Sequence, residues 1–208
     1  MKVVGIIAEY NPFHNGHIHH IEEAKKITNA DFVIAVISGA FTQSGNISIM
    51  DKYKKANLAI LYGVDLVIEL PEIYAISSAS YFSYYAICIL EGLKIVDYVC
   101  FGSECGNIKT LKNISNKILN NEENFWKNLK EQEKNVSFAK SRENVLSNFL
   151  TSKELQIIKN SNDILGIEYI GALKKLNSKI EPICIKRDNS FISATQIRNE
   201  ILNNSIKN

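Results

Sequence analysis

The 208-residue sequence predicts an α/β domain, a parallel five-stranded sheet with helices on both faces. Three observations predict it. Short apolar runs rich in Val and Ile recur along the chain, without the strict alternation of a sheet wetted on one side. Stretches with apolar residues at three- and four-residue spacing separate them. Gly, Pro, Asn and Ser mark most of the joins.

The elements follow in order. Val3–Ala8 is the first strand, followed by a turn-rich loop from Glu9 to Gly16 and a helical pattern from about His17 to Thr28. Asp31–Ser38 is the second apolar, β-branched run, with a Gly-, Ser- and Thr-rich loop after it to Met50. Asp51 suits the N-cap of the next helix and Gly63 its terminator. Asp65–Leu70 reads as a third strand stopped by Pro71, and the uncharged stretch Ile73–Leu90 as one buried helix. Four serines and four tyrosines in that stretch, with Glu72 and Glu91 flanking it, argue against a membrane span. Val96–Phe101 is a fourth strand. From 107 to 160 the composition shifts to Asn, Lys and Glu with helix-period Leu111, Ile114 and Ile118, the pattern of a helical insertion within a single domain. Leu165, Tyr169, Ala172, Leu173 and Leu176 fall on one face of a further helix, and Glu181–Lys186 supplies the fifth strand. Ser193 and Gln196 make a capping box for the last helix.

A chain of this size buries roughly 70% of its unfolded surface and needs no disulfide or structural metal. Cys88, Cys100, Cys105 and Cys184 lack CxxC spacing and read as reduced thiols of a cytoplasmic protein. A net charge of +2 neither demands nor excludes a nucleic-acid partner. Lys127, Lys130, Lys134 and Lys140 interleave with Glu131 and Glu133, the pattern of a solvated helix face. Nothing in the sequence specifies an oligomeric state.

All four histidines, His14, His17, His19 and His20, lie within seven residues just past the first strand, where open α/β sheets place ligands. A helix starting near Gly16 or His17 points unpaired N–H groups and a positive dipole end there, a ready phosphate site. Gly16 removes a Cβ from the approach, and Pro12 stiffens the turn. His14 and His17, three apart, reach one phosphate as hydrogen-bond donors, the positioning that displacement at phosphorus needs. The same cluster also suits a metal, or plain capping and packing. His19 lies away from Ile18, Ile21 and Ala24 and is expected to face water; periodicity assigns His20 no role. Two of the three arginines, Arg187 and Arg198, flank the last strand-to-helix connection, where Ser193 and Thr195 add hydroxyls.

The segments His14-Asn15-Gly16-His17 and Ile192-Ser193-Ala194-Thr195-Gln196-Ile197-Arg198, at opposite ends of one domain, resemble the HxGH nucleotidyltransferase superfamily. EYNPFHNGH (9–17), GVDLVIELP (63–71), FGSE (101–104) and SNDILGIEY (161–169) are similar to the tRNA(Met) cytidine acetate ligase family within it. The resemblance implies a Rossmann-like fold and ATP as co-substrate. Acetate becomes acetyl-adenylate with release of pyrophosphate, and the acetyl group passes to N4 of the wobble cytidine of elongator tRNA(Met). It also implies that Ile7, Ala8, Glu9, Tyr10, Asn11, Pro12, Phe13, His14, Asn15, Gly16, His17, Ile18, His19 and His20 wrap the nucleotide. Gly102, Asn162 and Arg187 contact it, Ser193 and Thr195 complete the phosphate cradle, and His14, His17 and Arg198 act on the transition state. Magnesium would be held by the phosphates, with few protein ligands.

Two features depart from that family. Its loop after the second strand carries an arginine in a Q-R-G-E-P-like stretch, whereas this chain has Gln43-Ser44-Gly45-Asn46-Ile47. Its members also continue past the last helix, in a part expected to help hold tRNA. Two alternatives follow: an adenylyltransferase acting on a small phosphorylated acceptor, and a nucleotide-binding relative without the tRNA reaction.

Overall fold

A computed structural model describes residues 1–130, 138–188 and 190–205. The elements run β1 (Val3–Ala8), α1 (Asn15–Thr28), β2 (Phe32–Ser38), α2 (Lys52–Leu61), β3 (Leu66–Leu70), α3 (Glu72–Ala75), α4 (Ala79–Gly92) and β4 (Tyr98–Ser103). Then come α5 (Ile108–Asn120), α6 (Glu122–Lys130), α7 (Phe138–Leu146), α8 (Ser152–Ile157), α9 (Ser161–Lys175), β5 (Glu181–Lys186) and α10 (Ala194–Ser205). The five strands form one parallel sheet in the order β3-β2-β1-β4-β5. The chain steps outward from β1 to β3, then returns to β4 on the other side of β1. The crevice beyond the carboxyl ends of β1 and β4 is therefore a topological switch point.

Strand alternation sorts the core into two layers. Val3, Ile7, Ile34 and Val36 pack with Phe82, Ile87 and Leu90 of α4 and Ile170 of α9. Val4, Ile6, Val33 and Ala35 pack with Ile21 and Ala24 of α1 and Ala59 of α2. Register is set at the amino edge by three aspartates, each just before a strand. Asp31, Asp65 and Asp97 accept hydrogen bonds from the main-chain N–H of Lys2, Val33 and Val3 at 2.7–2.8 Å. That edge is closed by charge-assisted bonds. The loops of the carboxyl edge carry the candidate chemistry.

Three expectations about elements need correction. The uncharged stretch forms two helices, because the Ser77 hydroxyl bonds the Tyr74 carbonyl at 2.6 Å and the chain turns before α4 starts. The first helix begins at Asn15, capped by His14, so the HNGH segment is itself the helix start. Helix α9 is buried well beyond the predicted stripe, Asp163, Gly166, Ile167, Ile170 and Gly171 included, because α4, α5 and β4 all pack on it. Gly63 closes α2 at φ +103°, as expected. Helices α5 to α8 occupy the stretch of Asn-, Lys- and Glu-rich composition; Glu131, Glu133 and Lys134 lie outside the described residues. All four cysteines are free, and no helix among the described residues is long and apolar enough to cross a membrane.

Candidate functional site

The HNGH segment is a capping box made of imidazoles. His14 Nδ1 accepts from the Gly16 N–H at 3.0 Å, and His17 Nδ1 accepts from the His14 N–H at 3.2 Å. The two rings stack with centroids 3.9 Å apart. A neutral imidazole whose Nδ1 accepts carries its proton on Nε2, so both rings present Nε2–H as the outward donor. Burial, and then the nearby Arg187 charge, hold the His14 pKa below its usual value. Burial, then His14, His20 and Arg187, hold His17 well below. Both rings are therefore neutral donors at pH 7. Capping and donation are compatible roles, because they use opposite ring nitrogens.

Gly16 is required by the protein as much as by any ligand. A Cβ there would meet His14 Cε1 at 2.9 Å and lie 3.5 Å from Phe191 Cβ. Phe191 also packs on the ring of His19, centroids 5.2 Å apart, so His19 is half-buried and does not simply face water. His20 has an enclosed Nε2 with no partner among the described residues, and burial lowers its pKa to about 4.

The two ends of the chain meet at this loop. Arg198 donates from Nη1 to the Asn11 carbonyl at 2.6 Å and from Nη2 to Thr195 Oγ1 at 2.9 Å. Ser193 and Gln196 form the predicted capping box, which engages the Ser193 hydroxyl. On the far side of the loop, Asn11 Oδ1 accepts from the Ser48 hydroxyl and the Ile49 N–H, and Glu9 Oε1 from the Gln43 N–H. Of the loop residues named from the sequence, Ile7 and Tyr10 bury their side chains in the two cores, and Asn11 turns its amide to the loop after β2. Phe13 and Tyr10 pack around the His17 ring.

Across the switch point, Glu104 organises two further predicted residues. Its Oε1 accepts from Asn162 Nδ2 at 2.7 Å and from Arg187 Nη1 at 3.3 Å, and its Oε2 from the Asp163 N–H. Gly102 lies against Arg187, yet a Cβ there would sit 3.6 Å from Arg187 Cγ, an ordinary contact. No neighbour among the described residues demands glycine at 102.

Sequence reasoning assigned no role to Glu104, Asp163 or Lys55. Asp163 is fully buried and accepts from the Ser103 hydroxyl, the Cys105 N–H and Asn160 Nδ2, which fixes the turn after β4. Lys55 is also fully buried, and its ammonium donates to the carbonyls of Glu9, Ser38 and Gly39 at 2.8–3.0 Å. Its position one turn before the inward Ala59 was the available signal. No cluster of three metal-ligating side chains occurs among the described residues.

Comparisons with known proteins identify the family and the fold. A family model described as HIGH Nucleotidyl Transferase matches residues 1–208. The chain is 45% identical over 202 residues to the tRNA(Met) cytidine acetate ligase of Thermoanaerobacter sp. (strain X514), covering 96% of this chain and 50% of that protein. It is 46% identical over 205 residues to the enzyme of the same name from Acetivibrio thermocellus, covering 97% and 49%. The crystal structure of Thermotoga maritima TmcAL bound with alpha-thio ATP superposes with a TM-score of 0.91 at 38% identity, covering 99% of this chain and 51% of that one. The chain thus spans about half the length of the relatives it matches. With its imidazole cap, its parallel sheet and a match along its whole length, this chain belongs to the HIGH Nucleotidyl Transferase family.

Proposed function

We propose that the chain activates acetate with ATP and directs the acetyl group to N4 of the wobble cytidine of elongator tRNA(Met). The carrying observation is the convergence of the HNGH cap with Arg187 and Arg198, which gathers two neutral donors and two cations at the switch point. In this reading a carboxylate oxygen of acetate attacks the α-phosphorus in line. The bond from that phosphorus to the bridging oxygen breaks, and pyrophosphate leaves with the electron pair. His14 and His17 donate from Nε2 to phosphate oxygens whose charge grows, while Arg187 and Arg198 offset the charge of the triphosphate. Neutral donors suit this task, since they need no proton exchange during the step. Gly102 and Asn162 lie on the nucleoside side, and Thr195 keeps its hydroxyl proton for a phosphate. The cytidine amine then attacks the acetyl carbonyl, and AMP leaves as the amine loses a proton.

The donor set around the cap is imidazole and guanidinium, unsuited to magnesium, which prefers oxygen ligands. Magnesium would therefore enter on the phosphate oxygens and offset their charge. Both the named relatives and the nucleotide-bound TmcAL structure support the reading. The test is pyrophosphate release from ATP with and without acetate, repeated with unmodified tRNA(Met). Acetate-dependent release is expected. Release that requires a phosphorylated acceptor, or no release with any acceptor, would sink the proposal.

A further inference from the structure

Two helix starts at the carboxyl edge are dressed differently. Helix α1 begins at the HNGH cap, and α9, which feeds the parallel strand β5, begins at the same edge of the sheet. At α1 the cap leaves imidazole donors free. At α9 the Asp163 N–H goes to a carboxylate from another element, Glu104 Oε2, at 3.2 Å. The join is reciprocal. Asp163 accepts from Ser103 and Cys105, on either side of Glu104, while Glu104 accepts from Asn162 and Asp163. Asp163 is fully buried and clasps the fold, whereas the Glu104 side chain stays 28% exposed.

The chemistry of Glu104 fixes its neighbour. A carboxylate accepts hydrogen bonds and donates none, so the Asn162 amide must turn Nδ2 toward it, at 2.7 Å. Asn162 is half-buried, and its Oδ1, directed away from Glu104, has no partner among the described residues. Phosphate oxygens are acceptors as well, so the Asn162–Glu104 pair calls for a ligand part that donates. A nucleoside has such donors, the ribose hydroxyls and the amine of the base. The bond from Arg187 Nη1 to Glu104 is longer, 3.3 Å, and the Arg187 side chain is 44% exposed. That bond steers Arg187 only weakly and leaves its other donors open to phosphate.

We propose that Glu104 is a positioning residue for nucleotide recognition: it locks the Asn162 amide so that Oδ1 accepts a hydrogen bond from the nucleoside. This sets the direction of the nucleotide in the crevice. The nucleoside lies against the start of α9, where a carboxylate already occupies the N–H, and the phosphates lie against α1 and α10, where donors remain. That the nucleotide is ATP rests on the function proposed above.

Calorimetry on the 208-residue chain compares a non-hydrolysable ATP analogue with its 2′-deoxy, 3′-deoxy and purine-riboside (amine-free) counterparts. One of the three is expected to bind the parent protein about fivefold or more weakly, and which one names the donor. Glu104→Gln can donate from its own amide, so Asn162 is free to flip, and that discrimination should shrink to within about twofold, as in Asn162→Ala. A role confined to capping α9 would lower the melting temperature of Glu104→Gln and leave the ratio untouched, which overturns the proposal. Equal binding of all four nucleotides by the parent overturns it too. Should Glu104→Gln fail to fold, the side-chain amide resonances of Asn162 in the 15N-labelled parent decide, identified by their loss in Asn162→Ala. They are expected to resist solvent exchange with and without the analogue. Loss of that protection on binding means that Nδ2 has left Glu104, and the proposal falls. Acetate-dependent pyrophosphate release with the ratio kept in Glu104→Gln sinks the positioning role and spares the function. A lost ratio without acetate-dependent release does the reverse, and no binding of any triphosphate sinks both.

Discussion

The two halves of the crevice are built on opposite principles. On the side of β1, β4 and β5, two imidazoles are neutral with a free donor each, and two guanidiniums retain exposed faces. On the side of β2, the cation is internal and spends all its donors on the main chain. One half keeps its donors on side chains that face the crevice, while the other uses its cation to hold together the main chain that builds it. Side-chain donors suit a polyanion, whereas an ammonium whose protons all go to carbonyls serves the fold. Glycine use differs within the first half alone, since Gly16 is demanded by its own neighbours while Gly102 has room for a Cβ.

The sharpest way to break the comparison is at His17. His17→Ala is expected to lower pyrophosphate release by two to three orders of magnitude, about 3 kcal/mol of lost transition-state stabilisation. His17→Asn restores an acceptor for the cap but no Nε2 donor, so melting temperature should recover while the rate stays low. A recovered rate would reduce His17 to a cap. Next is Lys55→Met, which strands three buried carbonyls. A loss on the order of 3 kcal/mol in urea unfolding is expected, and an unchanged midpoint would mean that water readily replaces the ammonium.

A smaller effect concerns pH. The folded-state pKa of His20, about 4, lies below its usual 6.5. Above pH 6.5 the ring is neutral in both folded and unfolded chains; as pH falls toward 4 the unfolded chain takes the proton first, so stability declines across that window. At pH 5 the loss should reach about 2 kcal/mol, and His20→Leu should shrink the fall in melting temperature between pH 7.5 and 5. An identical fall in both proteins would exclude His20 as its source. The smallest stability effect is expected for Gly102→Ala, within about 0.5 kcal/mol of the parent, yet with ATP affinity reduced several-fold in calorimetry. Unchanged affinity would move the nucleotide away from Gly102.

The sheet was readable because its strands are near-continuous apolar runs, and a parallel sheet covered on both faces imposes that pattern locally. Both caps were readable too, since Asp51, Ser193 and Gln196 act within one helical turn. The break between α3 and α4 was not, because Ser77 could equally have sat inside a helix until its hydroxyl found the Tyr74 carbonyl. His19 was misjudged for another reason: its partner, Phe191, lies more than a hundred and seventy residues away.

The order and type of the elements, the imidazole cap and the chemistry of its neighbours were determined by the sequence by itself, since each depends on residues a few positions apart. Only the tertiary structure decided that Arg198 closes onto Asn11, that Glu104 gathers Asn162 and Arg187, and that Lys55 gathers the carbonyls at the exit of β2. Those contacts join segments whose separation along the chain carries no periodic signal. Burial, which makes each of them matter, is a property of the packed whole.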